Sequence, residues 1–192
     1  MFNYIRPAVV LMVLFTLLTG VVYPLTMTAV AQLIVPSQAN GSLLQHDGKA
    51  IGSALIGQRF TSDRYFHGRP SAAGKEGYDA MASSGSNLGP LSKTLMERVG
   101  ADVSVLRPSG KGVIPADAVT ASASGLDPDI SPAYAALQIA RIATARRAPE
   151  ARVRDIVNQQ TSSPALGIVG EPRVNVLLLN LALDEALKPG AG

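Results

Sequence analysis

The chain has no cysteine, only two histidines and few aromatics, and its only charged side chain ahead of Asp47 is Arg6. Each scarcity excludes something. Without cysteine there are no disulfides and no thiolate metal sites. His46 and His67 show neither HxH nor HExxH spacing, so a transition-metal centre has little material. Aromatics make up 5% of the chain and the net charge is only +3, with no basic run. The footprint of a nucleic-acid binder is therefore missing. No GxSxG elbow is present for a serine hydrolase.

What the chain has instead is an apolar start. From Pro7 to Val35, PAVVLMVLFTLLTGVVYPLTMTAVAQLIV carries no charge. About 20 apolar residues suffice for a spanning helix. One reading is a retained transmembrane helix. The other is a cleaved signal peptide, with Arg6 as its basic flank, Ala8–Leu18 as its core and Ala29-Val30-Ala31 as the cleavage site. Apolar residues continue past Leu18 to Ile34, which is long for a signal core. Pro24 would kink a spanning helix. Thr16, Thr19, Thr26 and Thr28 can return hydrogen bonds to its backbone, and Gly20 lets another helix approach closely. Under either reading the single basic flank keeps the N-terminus in the cytoplasm and places the rest outside.

Beyond a linker at SQANG, the composition becomes that of a small α+β domain. SLLQ, a turn at Asp47-Gly48 and AIGSALIGQRF form a hairpin. The loop YFHGRPSA, Tyr65–Ala72, is made rigid by Arg69-Pro70. Tyr65, Phe66 and Arg69 are candidate contact residues there, with core packing weighed first for the two rings. Leu91, Leu95 and Val99 define a helix that Gly100 can end. Val119–Ala123 suits a short strand. Ser131 and Pro132 start a helix that ends near Arg147. A short helix follows, with Val153, Ile156, Val157 and Gln160 on one face. A last helix begins at Pro172, its face formed by Val174, Leu177, Leu178, Leu181 and Glu185. Arg107–Pro115 reads as a surface loop. Asp127 and Asp129 are further candidate contacts for another subunit; they either attract cations or simply favour the dipole of the next helix, and the second reading is preferred.

GSNLGPLSKT, residues 85–94, has the look of a phosphate loop. The Walker pattern GxxxxGK[ST] needs glycine directly before the lysine. Ser92 stands there instead, and Pro90 removes an N–H that a phosphate cradle would use. The stretch reads better as a turn at Asn87 followed by a helix start near Pro90. Ser86 and Asn87 are then candidate contacts for another chain.

Several segments together resemble the C-subunit family of the Kdp potassium-transporting P-type ATPase. They are TGVVYPL, QANGSLL, GSALIGQRF, YFHGRPSA, SGSNLGP, VTASASGLDPDISP and PRVNVLLLNLALD. The resemblance implies a retained single-pass helix at 7–35 in the inner membrane, a cytoplasmic stretch at 1–6 and an extracytoplasmic domain at 36–187. Residues 188–192 carry no family motif and are expected to be a disordered tail. It implies a non-catalytic subunit that binds no cofactor itself. ATP and potassium would be handled by partners: a channel-like potassium-binding A subunit, a P-type ATPase B subunit and a small single-helix F subunit. The family is described as a catalytic chaperone that raises the ATP affinity of the ATPase subunit. Outside the membrane, such an effect is indirect. Two other readings stay open at this point: a membrane-anchored periplasmic hydrolase using a serine and His67, and a cytoplasm-facing nucleotide-binding subunit using GSNLGP.

Overall fold

The computed structural model describes residues 2–46, 48–107, 113–164 and 167–187. The expected tail at 188–192, Asp47 of the hairpin turn and most of the Arg107–Pro115 loop lie outside them. The chain divides into two compact units, residues 1–51 and 52–192.

The first unit is dominated by one long helical run. Helix α1 (Ile5–Leu17) passes through a π-helical turn (Leu18–Val22) into α2 (Tyr23–Ile34). Together they span 30 residues, and this is the one helix among the described residues long and apolar enough to cross a membrane. At ~1.5 Å per residue it reaches roughly 45 Å, more than a hydrocarbon core of about 30 Å requires. It begins two residues before the expected span and includes Arg6. It stops at Ile34 because Val35 precedes Pro36 and leaves the helical region, with φ −136° and ψ 60°.

Pro24 is accommodated without a break. The Tyr23 N–H donates to the Leu18 carbonyl, five residues back. That is the π pattern, which adds a residue to the turn just before the proline. The hydroxyls of Thr19, Thr26 and Thr28 donate to the carbonyls of Phe15, Val22 and Pro24 at 2.7–2.8 Å. The stretch expected to be a linker is structured. Helix α3 (Pro36–Ala39) is a single turn, and the amides of Gln32 and Asn40 bond each other reciprocally at 3.1 and 3.2 Å. Strands β1 (Leu43–His46) and β2 (Lys49–Ser53) then form the expected hairpin. Gly48 takes φ +74°, as a tight turn requires.

In the second unit a three-stranded antiparallel sheet orders β3 (Asp129–Ile130), β5 (Arg173–Asn175) and β4 (Thr161–Ser162), with β5 central. Val174 pairs with Ile130 on one side and Thr161 on the other. Around it pack α5 (Pro132–Arg146), α6 (Glu150–Gln160) and α7 (Val176–Ala186). Among the described residues the largest fully buried side chains are Phe66, Ile139, Ile142, Val153, Val174, Leu179 and Leu183.

The start of α5 matches its sequence signal. Ser131 Oγ accepts from the Tyr134 N–H at 3.0 Å, and Arg147 closes the helix in the left-handed region. The face of α6 is as expected for Val153, Ile156 and Val157. Other expectations need correction. Helix α4 (Lys93–Leu106) runs through Gly100, because Val99, Val103 and Leu106 carry its apolar face on against the core. Its N-cap is Ser92, which accepts from the Leu95 N–H, and Pro90 lies in the turn before it. Residues 116–118 form a 3-10 turn and Val119–Ala123 is not a strand, since Thr120 turns its N–H and its hydroxyl back to the Ala116 carbonyl. Arg173–Asn175 is extended rather than helical, and Asn175 caps α7 by accepting from the Leu178 N–H at 3.1 Å. The buried face of α7 is therefore Val176, Leu177, Leu179, Asn180 and Leu183, not the face expected from Val174.

Candidate functional site

The loop after Asp63 has no strand partner, yet it runs through the core. Two buried amides replace the missing partner. Asn180 of α7 accepts from the Phe66 N–H at 2.8 Å and donates to the Phe66 carbonyl at 3.0 Å. Gln138 of α5 does the same for His67, at 2.8 and 3.1 Å. Each amide presents one donor and one acceptor, as a neighbouring strand would. Phe66 is fully buried, so its ring serves the core and is not a surface contact.

Arginines hold the flanks of the loop. Arg141 donates to the carbonyls of Asp63 and Tyr65 and to Gln138 Oε1. The Arg146 side chain is almost fully buried. It donates to the Arg64 carbonyl, pairs with Asp184 at 2.7 Å and lies 5.0 Å from the centre of the Tyr65 ring. The Tyr65 hydroxyl donates to the other Asp184 oxygen at 2.9 Å, so its outer end is occupied. Sequence reasoning missed Gln138, Arg141, Asn180 and Asp184. The available signal was an amide on the apolar face of each of two helices.

Arg69, Asp127, Asp129 and Arg173 form a row in which two neighbouring aspartates are each flanked by an arginine. Arg69 pairs with Asp127 at 2.9 Å, Asp127 accepts from the Asp129 N–H at 3.0 Å, and Asp129 pairs with Arg173 at 3.1 Å. They line an open cleft of about 410 Å³ with Asp117 and Glu171. Burial raises the Asp129 carboxyl above its ordinary range, while Arg173 opposes that shift. Asp117 is spent on the start of α5, accepting from the Ser131 N–H and hydroxyl. Both candidate aspartates thus face an arginine. Among the described residues no group of three or more histidine, aspartate or glutamate side chains gathers to hold a metal ion.

His67 sits beside a second cleft with Arg59, Arg69, Tyr78 and Tyr134. Its Nε2–H donates to the Ser62 carbonyl at 3.1 Å, so that nitrogen is not offered to a serine hydroxyl. Burial, and then Arg141, hold the ring below the usual imidazole range. Burial also pushes the Tyr78 hydroxyl up to about 12, and it donates to the Arg69 carbonyl at 2.6 Å.

The 85–92 loop leaves the body through a close approach. Ser84 N–H donates to the Ser124 carbonyl at 3.0 Å, and Gly125 takes φ +67° between Ala73 and Ser84. Asn87 is exposed at φ +52°, while Ser86 is half-buried. Gly20 is exposed on the long helix of the first unit. The candidate contacts are therefore dispersed: Gly20 in the apolar helix, Phe66 in the core, Tyr65 against the Arg146–Asp184 pair, Ser86 and Asn87 on the 85–92 loop, and Arg69, Asp127 and Asp129 around the clefts.

The family model KdpC, described as K+-transporting ATPase, c chain, matches residues 5–185. The chain belongs to the KdpC family. Named relatives agree along nearly the whole length. The potassium-transporting ATPase KdpC subunit of Gemmatimonas aurantiaca is 60% identical over 186 residues, covering 96% of this chain and 94% of that protein. The KdpC subunit of Caulobacter vibrioides is 58% identical, with 98% and 96% covered. That of Polaromonas naphthalenivorans is 56% identical, with 97% and 96% covered. The KdpC match takes in both the apolar helix and the sheet-and-helix unit.

Proposed function

We propose that the chain is the C subunit of an ATP-driven potassium import pump. It is an accessory, non-catalytic subunit held in the inner membrane by Ile5–Ile34. One observation carries this reading: the KdpC match over residues 5–185, which leaves almost no part of the chain outside it. The partners are a channel-like potassium-binding subunit, a P-type ATPase subunit and a small single-helix subunit. Arg6 is the one charged side chain flanking the apolar run on its N-terminal side, so the N-terminus stays in the cytoplasm and residues 36–187 lie outside.

In that topology the folded unit does not meet cytosolic ATP. Any effect on the ATP affinity of the ATPase subunit is a coupling between distant sites through the complex. The subunit binds neither ATP nor potassium itself and supports the stability of the assembly. Pro90 and Ser92 argue against a phosphate cradle, and the Arg69–Asp127 and Arg173–Asp129 pairs argue against a cation seat.

Alkaline phosphatase and green fluorescent protein, each fused after Leu187, test the topology. An external C-terminus gives phosphatase activity and no fluorescence. The reverse pattern would restore the nucleotide-binding reading of GSNLGP.

A further inference from the structure

The π turn leaves a gap in the backbone ladder of the membrane helix. In an α-helix the Thr19 carbonyl would accept from the Tyr23 N–H, and in a π turn from residue 24. Here the Tyr23 N–H goes to Leu18. Residue 24 is proline, which has no N–H. The Thr19 carbonyl therefore has no backbone donor at either position. The Gly20 carbonyl loses its α-helical donor for the same reason and keeps only the Leu25 N–H, at π spacing. The helix's own threonine hydroxyls do not repair this: those of Thr19, Thr26 and Thr28 are spent on Phe15, Val22 and Pro24, and Thr16 lies a turn before the gap, whereas a helical hydroxyl bonds back toward the N-terminus.

The gap lies deep. Gly20 is near the middle of Ile5–Ile34, roughly 22 Å from either end at about 1.5 Å per residue. Lipid tails offer no donor there, and an unpaired carbonyl in hydrocarbon is costly. The opening is also unobstructed: a side chain added at Gly20 would meet nothing within 4 Å.

We infer that the Thr19 carbonyl, beside Gly20, is the seat for a hydrogen-bond donor on a transmembrane helix of a partner subunit. This rests on the reading of the chain as a pump subunit. A second copy of this chain fits poorly. In a symmetric pair of parallel helices the same residues meet at the same depth. That sets carbonyl against carbonyl, with Thr19 already bonded to Phe15 and Tyr23, one turn away, left as the hydroxyl that a second copy could offer. The occupant is a different helix bearing a serine, threonine, asparagine, glutamine or tyrosine at mid-membrane. Close approach of its backbone is what a glycine at this position permits.

The test uses the tagged full chain in its native membranes. Gly20→Leu covers the gap with bulk. Pro24→Ala returns the missing N–H and adds no bulk. Both are expected to insert at wild-type levels and to lower the partner recovered per copy by about three- to thirtyfold, the range of one interhelical hydrogen bond. Because the chain lacks cysteine, Gly20→Cys and Leu18→Cys can each carry a single benzophenone. Photolysis is expected to join position 20 to a different membrane subunit and position 18, on another face, to lipid. Unchanged recovery in both variants, or an adduct from position 20 to a second copy or to lipid alone, overturns the inference while wild-type partners still co-purify. Failure of the wild-type chain to bring down any partner overturns the pump reading as well.

Discussion

At the scale of single residues, two buried amides decide whether the Tyr65–Ala72 loop holds. Asn180 and Gln138 are 2% and 4% exposed, and each satisfies one N–H and one carbonyl of the loop. Asn180→Leu keeps the branched side-chain skeleton and abandons both groups of Phe66. Leaving buried backbone groups unpaired costs about 1–3 kcal/mol each, so a loss of roughly 3 kcal/mol is expected in thermal unfolding of the full chain in detergent. A loss below ~1 kcal/mol would mean that the amide is incidental. His67 gives a pH dependence. Its ring is held below the usual imidazole range by burial first and Arg141 second. As pH falls through about 6.5, the unfolded chain takes up a proton that the folded ring resists, so stability declines in that window. His67→Gln should flatten the decline between pH 7 and 5, as read by melting temperature. These residues were barely legible in the sequence. Gln138 and Asn180 look like ordinary polar positions until the loop they clamp is known, and that contact joins residues 71 and 114 positions apart.

At the scale of elements, legibility followed local chemistry. Helix α5 announced itself through Ser131 and Pro132, and the hairpin through Gly48, because caps and turns act within a few residues. Helix α7 announced its existence but not its face. VNVLLLNLAL is apolar on nearly every side, and only the packing of Leu179 and Leu183 selects which side is buried. The three residues of β5 are too few for a period, and Pro172 looked like a helix start. Gly100 was read as a stop because glycine ends helices often, yet α4 continues to Leu106. That correction makes a prediction. Gly100 is inside the helix and a Cβ there meets nothing within 4 Å, so Gly100→Ala should stabilise by about 0.5–1 kcal/mol. If Gly100 ended the helix in a left-handed conformation, the same change would destabilise. Gly125→Ala is the contrast. At φ +67°, with Ala73 N and the Ser84 carbonyl 2.7 Å from the added Cβ, it should lower the melting temperature by several degrees.

At the scale of the whole molecule, the apolar start was legible by composition alone, while the contact surfaces were not. A surface that meets another chain has no period and no fixed spacing, so the candidates at Gly20, Tyr65, Arg69, Ser86, Asn87, Asp127 and Asp129 came from residue type. Packing then reassigned Phe66 to the core and found arginines beside both aspartates. The central claim is that this chain works as part of a potassium-transporting ATPase. Affinity purification of the tagged full chain in mild detergent, followed by an ATPase assay with and without potassium, tests it most directly. The account predicts co-elution of a large P-type ATPase whose hydrolysis is stimulated by potassium. Recovery of the chain alone, with no ATPase at its side, would contradict it.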